Sequence, residues 1–197
     1  MFGQLDISHF SPDRPEIVGE ALLKLENPGD ILQEFILSPG QMNHLMTKMK
    51  DSEEDLGFTN LNLATTDISE VAPDVVAGAL TKVEEVMNVR LTPDQLQAIF
   101  TRLQYGGSKL KCLSLISADL FAITSEVLLG ALRMLETVRF YGATLTMDQV
   151  AAILSMLSEG SQGRMGKLEI SWPHVEDEGK VLLLEAAERS DVLYITF

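Results

Sequence analysis

Leu110-Lys-Cys-Leu113-Ser-Leu115, with Leu120 beyond it and the apolar-periodic run Ser125 to Met134 behind that, reads as a short strand, a turn and a helix. The same order returns at Leu135-Glu-Thr-Val138-Arg-Phe140, followed by Leu145 and the run Met147 to Leu157. Two tandem copies of one pattern predict a repeat.

Apolar residues at positions one, four and six can be followed outward from this pair. Toward the N-terminus they are Val83 and Val86 (with Asn88 at the sixth place), then Phe58-Thr-Asn-Leu61-Asn-Leu63, Leu32-Gln-Glu-Phe35-Ile-Leu37 and Phe2-Gly-Gln-Leu5-Asp-Ile7. Toward the C-terminus they are Met165-Gly-Lys-Leu168-Glu-Ile170 and Val192-Leu-Tyr-Ile195-Thr-Phe197. The eight starts are spaced 30, 26, 25, 27, 25, 30 and 27 residues apart.

Helical stripes fill the spacers. Pro15 to Leu25, Gln41 to Lys50, Ala72 to Lys82, Pro93 to Leu103, Thr146 to Leu157 and Val181 to Ala187 each repeat apolar residues at i, i+3 and i+4. Thr92-Pro93 supplies a capping hydroxyl before a first-turn proline, and Asp74, Asp94 and Asp148 place acids in first turns. Gly106-Gly107, Gly160 and Gly163 punctuate the return to the next strand. A strand–helix unit cannot bury both its apolar faces alone, so the units are expected to stack into a solenoid with one parallel sheet. Strands pack about 4.8 Å apart and helices about 10 Å apart, which predicts a curved stack with the sheet on its concave side. An ordinary α/β domain would not keep one pattern through eight copies.

This pattern resembles leucine-rich repeats of the ribonuclease-inhibitor type, found also in NOD-like receptors and the Ran GTPase-activating protein. The resemblance covers essentially all of residues 1–197 and implies a single α/β horseshoe of about eight repeats that recognises macromolecules. Those repeats usually carry Asn or Cys at position nine. Here the position reads Phe10, Gly40, Thr66, Ala118, Ala143 and Pro173, so an asparagine ladder is absent and backbone groups or water are expected to satisfy the turns. The fourth copy is expected to be shortened around Met87 to Leu91. Neither end carries a polar cap, which predicts part of a longer array, or self-association through the ends.

The net charge of −14 excludes a clustered basic surface of the kind that binds nucleic acid, and favours a basic protein partner or simple solubility. The first 98 residues carry 6 basic and 17 acidic side chains, the rest 9 and 12. No stretch has the length of a membrane span, no leader is evident, and a single cysteine, Cys112, fits a reducing, cytoplasmic setting. His9, His44 and His174 fall in different copies without ligand spacing, and no nucleophile–base pair or phosphate loop stands out, so neither an enzyme nor a cofactor is expected. The acidic runs Asp51 to Asp55 and Glu176 to Glu178 read as solvated charge runs in loops or helix entries.

Positions three and five of each strand are expected on the concave face. Acids and amides occupy them early, whereas Arg139, Lys167 and Tyr194 appear late, with Tyr141 and Trp172 beside the strands. Cys112, Arg139, Tyr141, Lys167, Trp172 and Tyr194 are the candidate protein-binding patch, since aromatic and arginine side chains anchor interfaces. For Trp172, next to Pro173, covering the turn edge of the core is an equal alternative. The expected function is a protein-interaction module, the recognition or autoinhibitory part of an intracellular protein of NOD-like receptor type. A free-standing inhibitor or regulator of another enzyme is the alternative.

Overall fold

A computed structural model describes residues 5–10, 14–24, 32, 35–53, 58–160 and 163–197. Phe2, Gln4, Leu25, Glu34 and the end of the acidic run at Asp55, all part of the sequence reading, lie outside them. Strands and helices alternate along the described residues. The strands are β1 (Leu5–Asp6), β2 (Phe35–Ile36), β3 (Asn60–Asn62), β4 (Glu85–Val89), β5 (Cys112–Ile116), β6 (Thr137–Tyr141), β7 (Lys167–Ser171) and β8 (Leu193–Thr196). The helices are α1 (Pro15–Leu22), α2 (Pro39–Asp51), α3 (Pro73–Leu80), α4 (Pro93–Gln104), α5 (Ser125–Leu132), α6 (Met147–Ser158) and α7 (Asp177–Ala187). β3 to β8 form one parallel sheet in chain order, and each helix packs on the next. This solenoid-like layout is α/β.

Inward side chains meet in register across the sheet. Leu113, Val138, Leu168 and Leu193 form one row and Leu115, Phe140, Ile170 and Ile195 the next. All but Ile195 are buried, and they join the helix stripes in one continuous apolar core. Alternation of side chains along each strand therefore sends the intervening residues to the opposite, outward face.

Four expectations change. Among the described residues the sheet does not run through all eight strands: β1 pairs with β2 separately, and α2 against α3 carries the core across the interval. Leu5 is exposed, because among the described residues no layer covers the first unit's outer side. The fourth copy is lengthened rather than shortened. Met87 and Asn88 together oppose Ser114, a β-bulge that brings Val89 opposite Leu115 and buries it where Asn88 was expected. Asn88 takes φ 56°, a left-handed conformation that asparagine tolerates. The last copy lies two residues earlier than expected, with Leu193 and Ile195 facing the core, while Phe197 is exposed.

A fifth expectation changes: three of the turns are satisfied by glutamine side chains as well as by backbone groups. Gln41, Gln95 and Gln149 stand 54 residues apart at the third position of α2, α4 and α6 and are essentially fully buried. The Nε2 of Gln149 donates to the carbonyls of Leu120 (2.6 Å) and Ile123 (2.7 Å) in the preceding turn, and Gln95 does the same to Ile68 and Val71. Gln41 reaches Ile7 and Phe10. Each Oε1 accepts the backbone N–H of the capping Ser38, Thr92 or Thr146, whose hydroxyl in turn accepts the glutamine's own N–H. Every hydrogen-bonding group of the amide is thus spent on a closed capping box that also clamps two units together.

Gln149→Met keeps the shape but strands the Ile123 carbonyl and the Thr146 N–H, and leaves the Leu120 carbonyl only the Ile123 N–H. It should cost about 3 kcal/mol, at 1–3 kcal/mol per orphaned buried group, and lower the melting temperature by roughly 6–12 °C. Gln97→Met on α4 is the control. Equal, small shifts in calorimetry would show that the buried amides do not clamp the units.

Candidate functional site

Register builds a grid of outward side chains over β5 to β8. One row is Cys112, Thr137 and Lys167; the next is Ser114, Arg139, Glu169 and Tyr194; the third is Ile116, Tyr141, Ser171 and Thr196. Adjacent strands set the rows at about 4.8 Å across, and alternate residues stand about 6.7 Å apart along a strand.

At the centre lies Glu169. Its Oε2 is 3.1 Å from Lys167 Nζ and 3.6 Å from Arg139 Nε, so one carboxylate is shared by two cations. The carboxylate side chain is the least exposed of the three, at 24% against 34% for Arg139 and 39% for Lys167. The Lys167 ammonium also sits over the Tyr194 ring, 5.0 Å from its centroid, a cation–π contact. The Tyr194 hydroxyl donates to the Asp191 carbonyl, which pins the ring.

Three of the six expected residues, Arg139, Lys167 and Tyr194, therefore converge. Tyr141 stands two residues beyond Arg139 on the same strand, half-buried. Trp172 follows directly on β7 and is 61% exposed, so it does not cover the core. Cys112 is in the Lys167 row but separated from it by Thr137. Burial, then the neighbouring Glu85 carboxylate, pushes the Cys112 thiol above its ordinary pKa. A thiol so placed is a poor nucleophile.

Glu169 is the member the sequence reading missed as a site residue; its place opposite Arg139 and two residues beyond Lys167 on its own strand was its signal. The same row continues backward through Ser114, whose hydroxyl is 3.5 Å from Asn88 Oδ1, to Asn62, 3.5 Å from Asn88 Nδ2. Beside the strands, Lys111 pairs with Glu84 at 2.7 Å, which raises the lysine's pKa.

Trp172 has a second distinction. Ser117, Gly142 and Trp172 occupy equivalent places after β5, β6 and β7 and all have positive φ, at 53°, 67° and 50°. Each donates its N–H to the next strand, to Tyr141, Ser171 and Thr196 respectively, at 2.7–2.8 Å. Beyond this bend Asp119, Thr144 and His174 form a second line of parallel bridges. The bend is a requirement of the turn, and glycine meets it without strain whereas a bulky aromatic does not.

Among the described residues, no three His, Cys, Asp or Glu side chains are grouped to hold a metal ion, and no helix is long and apolar enough to cross a membrane. No protein-family profile, curated protein or solved structure matches this chain.

Cys112 is the chain's single cysteine, so its alkylation can be followed without interference. Its rate with iodoacetamide should be several-fold below that of glutathione at pH 8 and still be rising where glutathione's has levelled. Glu85→Gln removes a charge that opposes the thiolate and should accelerate the reaction. A rate inflection at or below that of glutathione would contradict the burial argument.

Proposed function

We propose that this chain is a leucine-rich-repeat array of the ribonuclease-inhibitor type, curved with its sheet on the concave side, and that it serves as a protein-recognition module. The observation that carries the reading is the grid of outward side chains on β6 to β8: one shared carboxylate, two cations and two exposed aromatics, Trp172 and Tyr194, held on backbone-paired strands. A face whose backbone is already ordered loses little conformational entropy on association. Arginine, tyrosine and tryptophan are the residues that most often carry binding energy at interfaces. The single reduced thiol supports a cytoplasmic setting for this module. No catalytic role is assigned to it.

The reading is tested by cross-linking partners to the intact protein and to three charge reversals. Arg139→Glu and Lys167→Glu should each lose the recovered partners by about 30-fold or more, the scale of an interface hot spot. Arg189→Glu, on an exposed helical turn, should retain them. Equal retention by all three would remove the sheet face as the recognition surface.

A further inference from the structure

We propose that the face of β6 to β8 docks a protein segment presenting one carboxylate flanked by apolar side chains, with Arg139 as the carboxylate receptor and Trp172 as the apolar anchor. The inference rests on the recognition reading above and names the partner's chemistry, which the overall charge of −14 would not suggest.

Local geometry argues for an acid. Salt screens exposed charges beyond about 8 Å at physiological ionic strength, so the distant acids count for little at this face. Within it, two cations share one carboxylate, which leaves one positive charge uncompensated. Among the described residues the Arg139 guanidinium has no hydrogen-bond acceptor, its ionic partner being Glu169 at 3.6 Å from Nε. Its two terminal nitrogens therefore keep the planar fork that binds a carboxylate through two parallel hydrogen bonds. Lys167, engaged by Glu169 and the Tyr194 ring, is less available. A strongly acidic segment would be repelled by the surrounding protein. One carboxylate in an otherwise uncharged segment fits both scales.

Trp172 argues for the apolar flank. It lies three residues beyond Glu169, roughly 10 Å along the chain. It adopts a left-handed backbone where the equivalent unit uses Gly142, yet most of its surface remains in solvent. A strained aromatic that contributes little burial is explained by a contact outside the chain. Tyr194, half exposed, offers a second ring on the neighbouring strand.

Trp172 is the only tryptophan, so its emission reports on this site alone. Three eleven-residue peptides with identical apolar flanks and Glu, Gln or Lys at the centre are titrated at 0.15 M salt. The Glu peptide should shift the emission to the blue and saturate, with at least tenfold weaker binding for Gln and none for Lys. Arg139→Gln should bring the Glu peptide down to the Gln peptide's affinity. Trp172→Gly, followed with a labelled Glu peptide, should lose binding while melting no lower than the parent. The inference is overturned if the Gln or Lys peptide binds as well as Glu, if the Glu peptide leaves the emission unchanged at millimolar concentration, or if Trp172→Gly melts more than about 5 °C lower. Preference for Lys that is lost in Glu169→Gln would overturn the carboxylate and leave recognition by this face standing. Loss of that face in the cross-linking experiment would overturn both.

Discussion

Stacking strand–helix units encloses the carbonyl oxygens of Ile7 and Phe10, Ile68 and Val71, and Leu120 and Ile123 in three of the turns, and the rest of the structure depends on how those oxygens are satisfied. A glutamine amide has two donors and an acceptor. At Gln95 and Gln149 both donors go to the preceding turn and the acceptor takes the N–H of the residue that starts the helix. The start of a helix and the distance between two units are therefore set by one side chain. An unsatisfied buried carbonyl would cost about as much as the net gain from several ordinary hydrogen bonds, so the arrangement is hard to vary piecemeal.

It also makes the working unit a pair. Helices carrying the glutamine are 12 or 13 residues long, while α1, α3 and α5, which alternate with them, have 8 residues each. The short helices have glycine where the long ones approach: a Cβ on Gly78 would lie 2.5 Å from Lys50 Cγ, and one on Gly130 would lie 2.7 Å from Gln104 Cγ. Long and short helices thus fit each other through side chains laid over bare backbone. The α7 helix, with 11 residues, departs from the alternation.

Hydrophobic spacing made the strands and helices legible because inward positions tolerate only apolar side chains. It failed where two registers satisfy the same pattern. Val192-Leu193-Tyr194-Ile195-Thr196-Phe197 offers apolar residues to either choice, and pairing of Leu193 with Leu168 decides. At Asn88 the eye reads a missing apolar residue, whereas the bulge supplies Val89 one place later. The repeated Ser/Thr-x-x-Gln at 38, 92 and 146 was in plain view as a capping box, but its reach into the neighbouring unit belongs to tertiary structure. The outward grid was legible by parity, since a shift of two residues leaves Tyr194 on the same face. Glu169 was not, because its importance lies in the cross-strand register that sets Arg139 opposite it, while Lys167 shares its own strand.

Parity also divides labour along each strand. Leu113, Val138 and Leu168 hold the stack, while the residues between them are free to vary without disturbing it. That freedom is uneven. Ser114 and Ser171 face outward yet are almost fully buried, small residues overhung by their surroundings. They bound the accessible part of the face on the Asn88 side and at the β7 turn, leaving Arg139, Lys167 and Tyr194 open between them. The left-handed bend after each strand adds the last restriction, because it selects against side chains just where Trp172 stands. A residue that opposes the local backbone preference and stays in solvent carries no weight in the fold, and its place at the edge of the one shared-charge cluster on the grid gives it another role.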